Sequence, residues 1–272
     1  MTMFYKSVKL CSLLLVLSLS SVSRAALIPA DIAVEANVSF DTNSFSQQGN
    51  VSQSGSFALI QGGSTTQSSV ADVLVTGANP LGGLLSETND GISIAAEVLG
   101  EASSNADGFY FDFDFLLSNS SLDTAYMLSF LFSYDNQTSA SGDDAFADSL
   151  INLFDASNVE FFFSDLTTDT LFGDEKNGAV PGTFGVTQLD NGMFSFDIVL
   201  APGSGSNFRG QILLEGAELA QAGAFLINAS ADLILSAVRP LDTPPNTVPL
   251  PATVLLMLLG LVLIRGYTRR IE

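Results

Sequence analysis

The most constraining stretch of this chain is Phe109-Tyr110-Phe111-Asp112-Phe113-Asp114-Phe115. Apolar and polar residues alternate strictly, so an extended backbone puts four phenylalanines on one face and Tyr110, Asp112 and Asp114 on the other. A helix would scatter the same rings around its whole circumference. The segment therefore predicts a half-buried β-strand with its Phe face in a core.

The same period of two recurs along the chain. Ile32, Val34, Ala36, Val38 and Phe40 alternate with small or polar residues and predict a first strand. Residues 52–63 and 64–69 read as turns and edge strands around Phe57-Ala58-Leu59-Ile60, and 70–75 is a further apolar run. Asn79-Pro80-Leu81-Gly82-Gly83 and Asn89-Asp90-Gly91 carry turn chemistry, the latter opening a strand over 92–99. Further strands are expected at 126–132, 150–154, 159–163, 193–200, 211–214 and 225–235. Residues 173–178 and Asp190-Asn191-Gly192 suit hairpin turns, and 143–147 and 216–223 suit short helical turns. No repeat of 20–50 residues is present, which excludes a solenoid. Many short strands between turn clusters predict an all-β fold, a single jelly-roll-like β-sandwich.

The two ends differ from this pattern. Lys6 and Lys9 precede an apolar stretch over 10–19, and Ser23-Arg24-Ala25 places small residues for cleavage between Ala25 and Ala26, as in a signal peptide. Cys11 lies inside that stretch without the small residues of a lipoprotein site, so the exported chain would contain no cysteine. At the other end, 252–264 is uncharged and apolar. As a helix it spans roughly 20 Å, short for a hydrocarbon core of about 30 Å unless Arg265 snorkels. Arg265, Arg269 and Arg270 would stay cytoplasmic. The expected organisation is a signal peptide over 1–25, an ectodomain over 26–239, a proline-rich linker over 240–247 and a terminal segment over 248–270.

Val248-Pro249-Leu250-Pro251-Ala252, the apolar stretch and the arginine cluster together resemble the PEP-CTERM sorting signal of Gram-negative bacteria, in its VPLPA variant. The resemblance covers about 25 residues, and Leu250 stands where the commoner form has Glu. It implies a transmembrane sorting helix recognised by a membrane-embedded exosortase-like enzyme. It further implies transient residence in the inner membrane with a periplasmic ectodomain, then delivery to the cell surface or extracellular matrix in association with exopolysaccharide and biofilm.

Charge and residue types limit the chemistry. Of 9 basic residues only Lys176, Arg209 and Arg239 lie between the terminal signals, against 28 of the 29 acids, a net charge near −25 there. Such a domain is unsuited to a nucleic-acid backbone. The chain has no histidine, which removes Ser-His-Asp and Cys-His catalysis and histidine-based metal sites. Carboxylates remain. Asp112 and Asp114 share a strand face and could form an acid/base pair, although acids on the outer face of a Phe-packed strand are ordinarily solvated. Glu215 and Glu218 flank an expected turn and invite the same idea. Asp135, Asn136, Asp143, Asp144 and Asp148 fall within one expected loop and offer oxygen ligands for calcium, without EF-hand spacing. With 21 Phe, five Tyr and no Trp, the aromatics suit a core better than a sugar-stacking platform. Three readings stand: a non-enzymatic surface or matrix protein, a calcium-dependent carbohydrate-binding module, and a carboxylate-based glycoside hydrolase.

Overall fold

The computed structural model describes residues 25–43 and 46–241. Thirteen strands follow one another: β1 Ile32–Phe40, β2 Ser46–Gln61, β3 Ser64–Ala71, β4 Leu74–Thr76, β5 Leu81–Leu84, β6 Gly91–Asn119, β7 Ala125–Gly142, β8 Ala145–Phe154, β9 Glu160–Asp169, β10 Glu175–Lys176, β11 Gln188–Leu200, β12 Gly205–Glu218 and β13 Gly223–Leu241. Every named pairing is antiparallel.

Strand β6 organises the fold. Its 29 residues belong to two layers joined in one continuous 13-stranded sheet. Its first part pairs with β2 on one edge and β13 on the other, giving a layer β4-β3-β2-β6-β13-β7-β11. Its second part pairs with β1 and β12, giving a layer β5-β1-β6-β12-β8-β9-β10. The strand changes layer between Ser103 and Gly108, both with positive φ (57° and 69°). The β2 and β12 ladders slip in register opposite the same stretch. Such bulges bend a strand without ending its pairing. Gly49 sits at the β2 slip because a Cβ there would lie 2.4 Å from the Ser103 carbonyl oxygen.

The core lies between the layers and is largely aromatic. Phe109, Phe111, Phe113 and Phe115 are all buried, as their alternation predicts. Phe115 stacks on Phe208 of β12 with centroids 4.8 Å apart, and Phe130 of β7 meets both edge-on from the opposite layer at 5.6 and 4.9 Å. Phe132 of β7 meets Phe162 of β9 at 5.1 Å across the same interface. One polar seam crosses the interior: Asn136 Nδ2 donates to Ser149 O, Ser164 O and Ser164 Oγ at 3.1–3.3 Å, and the Thr138 and Thr168 hydroxyls are 2.7 Å apart. These bonds fix β7 against β8 and β9, because an unpaired polar group here would cost about 1–3 kcal/mol.

The result is an all-β, jelly-roll-like sandwich, and it corrects the expected fold class in its helical part. Among the described residues there is no helix, and so none long and apolar enough to cross a membrane. Residues 252–264 and all of the expected signal peptide over 1–25 except Ala25 lie outside the described residues. The expected transmembrane sorting helix therefore has no element in the structure to support it. Membrane attachment through that helix, the exosortase partner and the inner-membrane stage before surface delivery all depended on it, and they are dropped.

Local expectations change as well. Residues 143–147 and 216–223 are not helical turns: β8 begins at Ala145 and β12 continues to Glu218. Asp190-Asn191-Gly192 lies within β11, paired with Asn136, Asp135 and Tyr134, and forms no hairpin turn. Strand β13 reaches Leu241, so Pro240 and Leu241 pair with Tyr126 and Ala125. Ala26 is held at the domain edge by hydrogen bonds to and from Thr88, each 2.8 Å.

Candidate functional site

The sequence-selected residues occupy three different environments. Asp112 and Asp114 lie on the outer face of the second layer, where the Phe alternation places them. The Tyr110 hydroxyl donates to Asp112 Oδ1 at 2.7 Å and lies 2.5 Å from the Gln211 side-chain oxygen. Asn37 Nδ2 donates to Asp114 Oδ2 at 3.3 Å. Burial raises the Asp112 pKa against the opposing influence of Tyr110 and Arg209. Burial, then the Asp112 carboxylate, pushes the Tyr110 phenol well up. Asp112 is thus tied to Tyr110 of its own strand and Asp114 to Asn37 across the β1 ladder, both on an open face.

The proposed calcium ligands do not form a loop. Asp135 and Asn136 are consecutive in β7 and so point to opposite faces: Asp135 is exposed, whereas Asn136 is buried in the interior seam. Asp143 and Asp144 form the β7–β8 turn. Asp148 stands on the outer face of β8, opposite Thr167 of β9 and Glu215 of β12. No group of three or more His, Cys, Asp or Glu side chains suited to a metal ion occurs among the described residues. The sorting-motif residues Val248, Pro249, Leu250, Pro251, Ala252, Arg265, Arg269 and Arg270 lie outside the described residues.

Concavities mark the described surface as well. One is a trough of about 520 Å³ across β2, β6, β13 and β7 on the outer face of the first layer. Ser54, Ser56 and Ser230 line it with small side chains, and Glu97, Asp135 and Asn228 bring hydrogen-bonding groups to it. Its size lies within the range of ordinary ligand clefts, about 300–1,000 Å³. A second concavity of about 440 Å³ is apolar, with Phe161, Phe196, Ile198 and Phe208 in its wall and Asp155 and Asp197 beside them.

The third is a dent of about 180 Å³ where Asp148, Asp165 and Glu215 come together from β8, β9 and β12. Asp148 Oδ1 is buried without a hydrogen-bond partner. Burial, joined by the Asp165, Glu215 and Asp169 carboxylates and opposed by Thr167, pushes the Asp148 pKa up to about 6. Burial likewise raises Asp165. The sequence could not reveal this convergence, because each residue sits on a different strand and only the β12–β8–β9 register brings them side by side. The dent lies below the usual ligand-cleft range, so its perturbed carboxylate reads first as an electrostatic cost to the fold.

No family profile and no curated protein matches the chain. Among solved structures, the infectious bursal disease virus Gt strain aligns over 76% of this chain and 58% of its own at 9% identity, with a TM-score of 0.22. A VP2 subviral particle of the same virus aligns over 80% and 66% at 8% identity and a TM-score of 0.17. A CocE/NonD family hydrolase from Staphylococcus aureus aligns over 53% and 32% at 10% identity and 0.14. The chain thus spans less than two thirds of each of these proteins. Scores this low carry no inference about function.

Proposed function

We propose that this protein is a non-enzymatic component of an extracellular matrix, a rigid acidic β-sandwich that associates with hydrated polysaccharide. The observation that carries the reading is how its surface carboxylates are used. Asp112, Asp114, Glu101, Glu160 and Asp190 each accept a hydrogen bond from a Tyr or Asn neighbour, as a solvated and rigid surface requires. The histidine-free composition supports the same reading. The trough across β2, β6, β13 and β7 is the surface on which a polymer would lie. Small serine side chains leave room for sugar rings, and Glu97, Asp135 and Asn228 supply acceptors and a donor for hydroxyl groups.

A glycoside hydrolase is the second reading, favoured by the raised pKa of Asp148 beside Glu215 and Asp165. Incubation with the matrix polysaccharide of the producing cells separates the two. Matrix association predicts co-sedimentation of protein with polymer and no new reducing ends. Hydrolysis predicts new reducing ends that Asp148→Asn abolishes.

A further inference from the structure

Glu218, the last residue of β12, is completely buried. Its Oε1 accepts the Ala220 backbone N–H at 2.8 Å, while its Oε2 has no hydrogen-bond partner. That oxygen points across the sandwich at the start of β13 and the end of β7, where Gly223 pairs with Gly142. A Cβ on Gly223 would stand 2.1 Å from Glu218 Oε2 and 2.3 Å from the Ser141 carbonyl oxygen. A Cβ on Gly142 would stand 2.6 Å from Oε2 and 2.8 Å from the Ala222 carbonyl oxygen. The two glycines thus leave a space that the carboxylate enters, and what surrounds its free oxygen there includes further oxygens.

A buried anion facing carbonyl oxygens needs a positive partner. The ion pair among the described residues, Lys176 with Asp190, does not involve Glu218. Carboxylate and main-chain carbonyl oxygens are the ligands that hard cations take, at about 2.3–2.6 Å for calcium. Oε2 and the Ser141 carbonyl oxygen flank one point, the Cβ position of Gly223, and Oε2 and the Ala222 carbonyl oxygen flank another, that of Gly142.

We propose that Glu218 Oε2, with the carbonyl oxygens of Ser141 and Ala222, binds a hard metal cation, Ca²⁺, at this end of the sandwich. The ion would join the β12–β13 connection, which supplies Glu218 and Ala222, to the end of β7, which supplies Ser141. The β7–β8 turn packs alongside, since the Leu219 N–H donates to Asp144 O at 2.9 Å. Asp143 and Asp144 therefore make the approach acidic. The site shares no ligand with the set Asp135, Asn136, Asp143, Asp144 and Asp148, and it stands independently of the matrix reading.

The test compares thermal unfolding of the full chain and of Glu218→Gln after chelation, then with millimolar Ca²⁺, Mg²⁺, Na⁺ or K⁺. Saturating Ca²⁺ should raise the Tm of the unsubstituted protein by about 5 °C and leave Glu218→Gln unmoved. The Gln variant should match or exceed the chelated parent in stability, because its amide can donate to the carbonyls that Oε2 faces. Tyrosine-sensitised terbium emission, displaced by Ca²⁺ in the parent and absent from Glu218→Gln, reports binding without reference to stability. A shift with another of these ions in place of Ca²⁺, lost in Glu218→Gln, supports the site and reassigns its ion. No shift and no terbium emission in the parent would overturn the proposal. So would a Ca²⁺ shift that persists in Glu218→Gln, which would place the ion elsewhere.

Discussion

Replacing Asp148 by Asn should stabilise this protein, with a pH dependence that identifies the cause. The carboxyl titrates near pH 6 in the folded chain against 3.8 as its ordinary value. About two pH units at about 1.4 kcal/mol each correspond to at most ~3 kcal/mol. Asp148 keeps partial contact with solvent, which reduces the expectation to about 2 kcal/mol. The sign follows from which state ionises first. Below about pH 3.8 the group is protonated in both states and contributes nothing. Between there and pH 6 the unfolded chain releases its proton first, so the fold progressively loses stability, and above pH 6 the penalty is constant. Asn keeps the shape and lacks the charge. Its advantage should be near zero at pH 3.5 and full at pH 7.5, where the Tm should rise by roughly 4–8 °C for a domain of this size. Circular-dichroism melts of both proteins across pH 3.5–8 measure it directly. A Tm difference independent of pH, or a variant less stable at pH 7.5, would refute the assignment of Asp148 as a destabilising buried acid.

Phe208→Ala should lower the Tm by about 10 °C. It removes a ring packed between Phe115, Phe130 and Phe196, a deletion of the kind that costs about 3–5 kcal/mol, measurable by calorimetry. Asp90→Ala should cost about 3 kcal/mol in urea unfolding, because its buried carboxylate accepts from Gly62 N, Ser86 N, Ser86 Oγ and Glu87 N at 2.7–3.1 Å; Asp90→Asn should recover part of that. Ser56→Trp should leave the melt nearly unchanged while abolishing polysaccharide co-sedimentation, since its side chain would fill the trough.

The fold was legible wherever burial alternates cleanly. Ile32–Phe40 and the Phe109–Phe115 face stand where their period of two puts them, because one face of each meets the opposite layer and a one-residue slip would expose every ring. Continuity was hidden where composition resembles a loop. Gly100-Glu101-Ala102-Ser103-Ser104-Asn105-Ala106-Asp107-Gly108, between the strands expected at 92–99 and 109–115, is the bend of β6, kept in the sheet by partners on both edges. Asp190-Asn191-Gly192 carries hairpin chemistry but stays extended. Gly192 leaves room for the Tyr134 ring, 3.2–3.4 Å from where a Cβ would lie, and Asp190 accepts from Asn177 and pairs with Lys176. Local propensity yields there to the cross-strand fit.

The candidate sites were less legible, because each is assembled from strands distant in sequence. Asp148, Asp165 and Glu215 meet only through the β12–β8–β9 register, and Glu218 and Ala222 of the β12–β13 connection meet Ser141 only where that connection packs on the end of β7. Asp135 and Asn136 looked like neighbours in a ligand loop. Once β7 was known to run through them, alternation alone sent one outward and the other into the seam.

A matrix role requires that this sandwich hold polysaccharide without cutting it. The direct measurement is size-exclusion chromatography of the producing cells' matrix polymer after prolonged incubation with the protein, monitoring protein and chain length together. The account predicts protein co-eluting with polymer of unchanged length, and loss of that co-elution in Ser56→Trp. Progressive shortening of the polymer, abolished by Asp148→Asn, would contradict it.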